Sequence, residues 1–175
     1  MNDRPREPEV REYRFEDDGS IPNNPDLALL LYPQALGEGD LSSSSCKQLL
    51  AENGWGGSWV DGVFPYHHYH SVSHEVLVVV GGEARIDFGG PEGATLEVEA
   101  GDAVVIPAGV GHRNAGSSSG FSVVGAYPRG QESWDLRTGE PDERPEVLEN
   151  IRNVALPETD PLFGEDGPLL RRWTE

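Results

Sequence analysis

The sequence predicts an all-β sandwich or barrel. Short apolar, β-branched runs recur through the middle of the chain, and glycine- and proline-rich turns separate them, as is typical of these folds. With 175 residues, of which 36% are apolar, the chain is long enough to bury one sizeable core. We therefore expect a single domain over residues 1–175, with its barrel core at about 55–128.

The N-terminal third is expected to contribute two strands and one short helix. Residues 10–15 and 27–32 are the apolar runs that suggest strands. A helix is predicted over Ser43–Asn53, because serines are available to cap its start and Gly54 follows its end. The single cysteine, Cys46, excludes an internal disulfide and falls on the apolar face of this helix, so we expect it to pack in the core.

The barrel strands and the tail follow from the same pattern. Residues 116–120 are expected to form a hairpin loop. Residues 129–175 are rich in proline and acidic residues, so an irregular extension is expected there, with a helical turn or two at 147–154. Its apolar side chains indicate that it docks on the barrel. Strands are predicted over residues 59–70, 75–80, 84–88, 95–99, 103–107 and 121–127.

Histidines are crowded in front of one of these strands. Four of the five histidines lie within eight residues, and Glu75 follows directly. If residues 64–70 form a strand, side chains alternate between its faces, so that His68 and His70 point to the same side and His67 to the other. Glu75 shares its face with the next inward apolar residues of its own strand. Two imidazoles and a carboxylate across a hairpin suit a borderline divalent metal.

The fifth histidine, His112, is the candidate for a further ligand. It follows a second apolar run, Ala103–Pro107, and a turn that contains proline and glycine.

Both stretches resemble the motifs of the cupin superfamily. From Gly62, five residues precede His68, and Glu75 and Gly82 follow at the spacing of the first cupin motif. The second motif is matched by Gly101, Pro107, Gly109 and His112, whereas Gly116 replaces the asparagine that cupins have at that position.

This resemblance implies a jelly-roll barrel, also called a double-stranded β-helix. It also implies one divalent transition metal per chain (Fe, Mn, Ni, Co, Zn or Cu) bound by His68, His70, Glu75 and His112. His74 is an alternative ligand or a neighbour of the ligands, because some cupins place the carboxylate position one residue earlier.

The expected function is that of a metal-dependent enzyme acting on a small organic molecule inside the barrel. A dioxygenase is favoured and an isomerase is possible; the alternative is a non-catalytic module that binds a metal or a small ligand. Strand parity points Phe64 and Tyr66 toward the metal, and Tyr127 on the last strand is a third candidate for the substrate pocket.

Charge limits the classes of partner. The net charge of −18 disfavours nucleic acids and anionic lipid, and no apolar run is long enough to span a bilayer. The charged N-terminus lacks the apolar stretch of a signal peptide, so a cytoplasmic protein is expected. Because single-domain cupins commonly pair through N-terminal strands, we also expect a homodimer.

Overall fold

A computed structural model describes residues 9–173, which form two antiparallel β-sheets and three short α-helices. The strands are β1 (Arg11–Tyr13), β2 (Leu29–Tyr32), β3 (Trp55–Asp61), β4 (Glu75–Gly81), β5 (Glu83–Phe88), β6 (Ala94–Glu99), β7 (Ala103–Ile106), β8 (His112–Ser117) and β9 (Ser122–Pro128). The helices are α1 (Ser43–Glu52), α2 (Glu146–Asn153) and α3 (Pro168–Trp173), and Glu38–Asp40 and Pro141–Glu143 form 3₁₀ turns.

The two sheets form the predicted jelly-roll barrel. The larger sheet has six strands in the order β1-β2-β7-β4-β9-β3, and the smaller has three in the order β6-β5-β8. Apolar residues of β4, such as Leu77 and Val79, meet Ile86 and Phe88 of β5 in a shared core between the sheets. Within residues 9–173, no helix combines the length and the apolar character that crossing a bilayer would need.

The larger sheet is buried on both faces. On the side away from the barrel interior, Val76 and Val78 pack in a second core with Leu50 of α1 and Trp173 of α3. This double burial explains why β4 reads as a continuous apolar run rather than as an alternating one. The two N-terminal strands belong to this sheet, since β2 pairs with β7 and β1 pairs with β2, as expected for residues 10–15 and 27–32.

Helix α1 begins and ends close to the predicted positions. The Ser45 amide donates a hydrogen bond to Ser42 Oγ (3.1 Å), which satisfies one of the free amides of the first turn. Cys46 and Leu50 are fully buried against the larger sheet, so the predicted packing role of Cys46 is confirmed.

The prediction of a strand over residues 59–70 was wrong beyond Asp61. Strand β3 ends at Asp61, and the segment that follows forms only isolated bridges, of which His68 to His112 lies at the site. Pro65 interrupts the segment because proline has no amide hydrogen to donate to a neighbouring strand. Two backbone hydrogen bonds between His68 and His112, of 3.2 and 2.9 Å, nevertheless attach this segment to β8.

Strand β8 was not predicted, and the expected hairpin loop at 116–120 begins later than proposed. Gly116 and Ser117 are the last residues of β8 and pair with Arg85 and Ala84 of β5. The polar sequence of β8 has little intrinsic strand preference, so pairing with β5 decides its conformation.

The C-terminal extension docks on the larger sheet, as expected, and α2 covers most of the predicted 147–154 helix. Asp160 is the centre of this contact. Its buried carboxylate accepts a 2.6 Å hydrogen bond from the Tyr32 hydroxyl and three more from the backbone amides of Leu162, Phe163 and Leu169. Trp173 Nε1 donates to the Ala28 carbonyl at 2.9 Å, which attaches α3 to the same sheet.

Candidate metal centre

Three of the predicted ligands form a compact cluster at one end of the barrel. His68, His70 and His112 are buried, and each presents a ring nitrogen within 4.8 Å of the other two. Glu75 lies beside them, with its Oε1 3.5 Å from His70 Nε2 and 3.3 Å from His112 Nε2. The structure thus brings together all four side chains that the sequence analysis grouped as ligands.

The four side chains come from three separate parts of the fold. Glu75 begins β4 of the larger sheet, where it pairs with Ile106, and His112 begins β8 of the smaller sheet. His68 and His70 lie in the irregular segment after β3. The site therefore spans the opening between the two sheets.

A glycine in the turn before β8 allows His112 to reach the cluster. Gly109 has a φ of +91°, and a Cβ at this position would lie 2.5 Å from the Asn23 carbonyl oxygen. A residue with a side chain would be strained in this conformation and would also displace the neighbouring backbone. The glycine of the second motif thus has a physical role in placing the histidine.

The second nitrogen of each ring faces a backbone carbonyl. Nδ1 lies 2.9 Å from the Tyr66 oxygen in His68, 2.5 Å from the Asp135 oxygen in His70, and 3.3 Å from the Val110 oxygen in His112. Because a carbonyl oxygen only accepts hydrogen bonds, these contacts assign the ring hydrogen to Nδ1. Each neutral imidazole then keeps a lone pair on Nε2, which is the arrangement that orients histidine as a metal ligand.

The cluster consequently joins acceptors without a donor. Glu75 Oε1 is buried and has no hydrogen-bond donor among residues 9–173, although two imidazole nitrogens lie close to it. Lone pairs that converge in a buried site repel one another unless a cation lies between them. The nitrogen and oxygen donor set fits a divalent transition metal.

The electrostatics of the site reflect the same crowding. Burial and the neighbouring His112 lower the pKa of His68 to about 3, which favours its neutral form. Burial lowers the pKa of His70, but the adjacent Glu75 carboxylate outweighs it, and the net shift is upward. For Glu75, burial raises the pKa, whereas His70 and His112 lower it more strongly, so the side chain is ionised. Metals bind carboxylates and neutral imidazoles, so a bound cation would displace the proton that Glu75 favours on His70.

His74, the alternative ligand, is placed elsewhere. Its ring lies 4.9 Å from the Trp173 ring, and its Nδ1 accepts a 2.9 Å hydrogen bond from the Ala108 amide. His74 is therefore not part of the three-histidine cluster, in agreement with the strand parity that favoured Glu75. His67 is also outside the cluster and is only partly buried.

A pocket of about 330 Å³ leads from the surface to the cluster. Of the predicted pocket residues, Phe64 and Tyr127 line it, whereas Tyr66 stacks on Phe64 with ring centroids 5.2 Å apart and is not among the lining residues. Two tryptophans that the sequence analysis did not assign, Trp59 and Trp134, complete the aromatic lining. Trp59 precedes the first motif closely, but no local pattern marks Trp134, which comes from the C-terminal extension.

The fold and the site define this protein as a cupin: a jelly-roll barrel with three histidines and a glutamate gathered at one end. A sequence model described as the cupin domain matches residues 59–123. The chain belongs to the cupin family.

Over 169 residues the chain is 48% identical to the uncharacterized protein YjlB of Bacillus subtilis (strain 168), a match that covers 97% of this chain and 99% of that protein. Solved structures are more distant. Protein NMB1881 from Neisseria meningitidis is 27% identical with a TM-score of 0.34, over 41% of this chain and 69% of that one. Acireductone dioxygenase from Bacillus anthracis, solved with a cadmium ion in its active centre, is 18% identical with a TM-score of 0.38, over 51% and 60%.

Proposed function

We propose that this cupin is a metal-dependent enzyme that acts on a small organic molecule, with dioxygenation as the favoured reaction. His68, His70, Glu75 and His112 would hold one divalent transition metal per chain. The observation that carries the proposal is the convergence of these acceptors at the end of a solvent-accessible pocket of about 330 Å³.

The bound metal would supply Lewis acidity and a place where substrate and dioxygen meet. The four side chains would leave two ligand positions of a six-coordinate ion for other molecules, or one if Glu75 binds through both oxygens. The Nδ1 contacts with the Tyr66, Asp135 and Val110 carbonyls hold the imidazoles in place, and the aromatic walls keep water away from a bound substrate.

Dioxygenation is favoured over isomerisation because the pocket offers little acid–base chemistry. An isomerase that moves a proton needs a positioned base within reach of the substrate. Among the described residues that line the pocket, the carboxylates are Glu75, which belongs to the proposed ligand set, and Asp61, which is exposed.

Metal analysis of protein purified without chelator tests the first step. We expect about one divalent ion per chain in the native protein and a loss of that ion in His68→Ala and His112→Ala. His67→Ala is the matched control, because it removes a histidine of the same segment from outside the cluster. Full metal content in either ligand variant would refute the assignment, and metal loss in His74→Ala but not in Glu75→Ala would move the carboxylate position to His74.

Oxygen uptake by the metal-loaded protein tests the reaction. A panel of catechols, flavonols and β-diketones covers substrates that present two oxygen atoms to a metal, and thiols add substrates that bind through sulfur. Uptake that depends on His112 supports the dioxygenase. If these compounds bind without turnover, the second candidate, a non-catalytic binding module, takes its place.

The homodimer also remains a proposal. Strand β2 is paired on both sides, whereas β1 is an edge strand of the larger sheet. A partner that pairs with the N-terminal strands would therefore bind along the outer edge of β1. An open strand edge presents unpaired backbone groups that a second copy can satisfy. Sedimentation should give a species of twice the 19.0 kDa chain mass, and a monomer at micromolar concentration would contradict the proposal. The cytoplasmic location and the absence of nucleic-acid and membrane partners stay predictions from the sequence.

A further inference from the structure

We infer that Trp134 is a specificity-determining wall of the pocket and that the pocket selects flat, uncharged molecules over those with an anionic group remote from the metal. This inference rests on the proposed function and names its substrate class. It is carried by the position of Trp134, by the contacts that fix its neighbour Asp135, and by the absence of a cation from the described pocket lining.

Trp134 brings the C-terminal extension directly to the proposed metal centre. Its ring lies 5.0 Å from the His70 ring, in an edge-to-face arrangement, and 6.0 Å from the Tyr127 ring at an interplanar angle of 24°. Trp59 Nε1 donates a 2.8 Å hydrogen bond to the Tyr127 hydroxyl, so the aromatic wall is continuous. Phe64 also lines the pocket, so flat apolar surfaces dominate the lining and favour a flat ligand.

Asp135 fixes the position of this wall. Its carboxylate accepts hydrogen bonds from the Ser71 amide (2.7 Å) and the Ser71 hydroxyl (2.5 Å), and from Arg137 Nε (2.8 Å). Its backbone oxygen faces His70 Nδ1 at 2.5 Å. Trp134 is therefore attached to the same turn that presents a proposed ligand, and these hydrogen bonds hold the aromatic wall beside the metal centre.

The charges around the pocket disfavour anions. Within the part of the chain that the structure describes, no arginine or lysine lines the pocket, and Asp61 is the lining carboxylate outside the proposed ligand set. Nearby guanidinium groups are engaged elsewhere: Arg113 pairs with Asp87 at 2.6 Å and Arg137 with Asp135 at 2.8 Å. An anionic substituent would lose hydration on entry without gaining a partner, so only groups that reach the metal can carry negative charge.

Two ligands with the same metal-binding diol test this inference. 4-Methylcatechol is uncharged at its substituent, and 3,4-dihydroxybenzoate carries a carboxylate there at pH 7. Calorimetric titration of zinc-loaded protein avoids oxidation of the ligands, because zinc has no redox chemistry. We expect 4-methylcatechol to bind about tenfold more tightly, since the carboxylate is desolvated without compensation.

Variants of the pocket distinguish the contribution of Trp134 to ligand affinity from that of the metal. Trp134→Ala should weaken 4-methylcatechol binding by about fivefold to tenfold, and Trp134→Phe should retain most of the affinity, because an aromatic face remains. Leu136→Ala is the matched control, since Leu136 is exposed in the same segment and does not line the pocket. Val60→Lys, which places a cation in the lining, should improve 3,4-dihydroxybenzoate binding relative to 4-methylcatechol binding.

The zinc content of each variant keeps the two proposals apart. Zinc that fails to bind the native chain refutes the metal proposal, and repeating both titrations on metal-free protein still measures the preference of the pocket. If zinc is bound and 3,4-dihydroxybenzoate binds as tightly as 4-methylcatechol or more tightly, the proposed substrate class is wrong. Unchanged affinity for 4-methylcatechol in Trp134→Ala overturns the role of Trp134.

Discussion

The two sheets of the barrel differ in how much of their surface is buried. The larger sheet is covered on both faces, by the barrel core on one side and by α1 and the C-terminal extension on the other. The smaller sheet buries one face, and along β5 exposed and buried residues alternate from Glu83 to Ile86. The larger sheet therefore supplies rigidity, whereas the smaller one supplies an outer face that interacts with solvent and salt.

The proposed metal centre joins these two sheets. Glu75 belongs to the rigid sheet, His112 to the smaller sheet, and His68 and His70 to the irregular segment between β3 and β4. A metal at this position would link all three regions, of which the irregular segment and β8 are already joined by backbone hydrogen bonds. Variants that alter one region and not another can therefore measure how much each region contributes to stability and to metal binding.

The largest effect is expected from truncating a core residue on the outer face of the larger sheet. Leu30→Ala should lower the free energy of unfolding by about 2–5 kcal/mol, because the fully buried side chain leaves a cavity beneath α1 and the C-terminal extension. Glu97→Ala on the exposed face of β6 should change it by less than about 0.5 kcal/mol. Urea unfolding of both variants measures the difference, and similar losses would show that the two outer faces are not distinct.

The next effect is stabilisation by the metal. A divalent ion at about 100 times its dissociation constant should raise the free energy of unfolding by about 2.7 kcal/mol, because it binds the folded chain alone. Glu75→Gln should lose most of this increment, since the amide is a weaker ligand than the carboxylate. Thermal unfolding of each protein with and without the ion isolates the metal contribution, and an equal increment in both would exclude Glu75 as a ligand.

A smaller effect is expected from the contact between the C-terminal extension and the site. Asp135→Ala should weaken metal affinity by about tenfold to 100-fold, because the carbonyl that orients His70 is no longer held against the Ser71 turn. Asp142→Ala, which removes an exposed carboxylate of the same extension, should leave affinity unchanged. Competition with a metal indicator measures both, and unaltered affinity in Asp135→Ala would confine the extension to a packing role.

The smallest effect concerns the acidic surface of the smaller sheet. Glu83 and Glu99 face each other across β5 and β6, and the chain has a net charge of −18 with Lys47 as its single lysine. Salt screens such repulsion, so at constant metal the melting temperature should rise by about 2–4 °C between low salt and molar KCl, which corresponds to about 1 kcal/mol.

Glu83→Lys converts the like-charge pair into an opposite one and should gain about 0.2–1 kcal/mol at low salt. The substitution should also reduce the rise of the melting temperature between low salt and molar KCl. A melting temperature that is constant or falls in KCl would mean that the acidic surface is an ordinary solvated one, and the inference of a salt-responsive face would be withdrawn.

Much of the barrel could be predicted from the sequence, because its signals are local. Apolar or alternating runs between glycine and proline turns marked β4, β5, β6, β7 and β9. The spacing of the histidines and Glu75 grouped the side chains that the structure brings together. Strand parity placed Glu75 inside the barrel and His74 outside the cluster, because alternation holds along a regular strand. Tyr66 lies beside Phe64 and His68, as parity predicted, but it does not line the pocket, where the segment around Pro65 is not a regular strand.

Tertiary structure alone decided which distant segments complete the site. Strand β8 exists because a polar sequence pairs with β5, and the wall formed by Trp134 exists because Asp135 is hydrogen-bonded to Ser71, 64 residues earlier in the chain. The orientation of His70 likewise depends on a carbonyl of the extension. Such contacts depend on how separate segments meet, and residue spacing within one segment carries no information about them. The sequence by itself therefore determined the type of barrel and the candidate ligands, whereas tertiary packing determined the shape and the charge of the pocket that surrounds them.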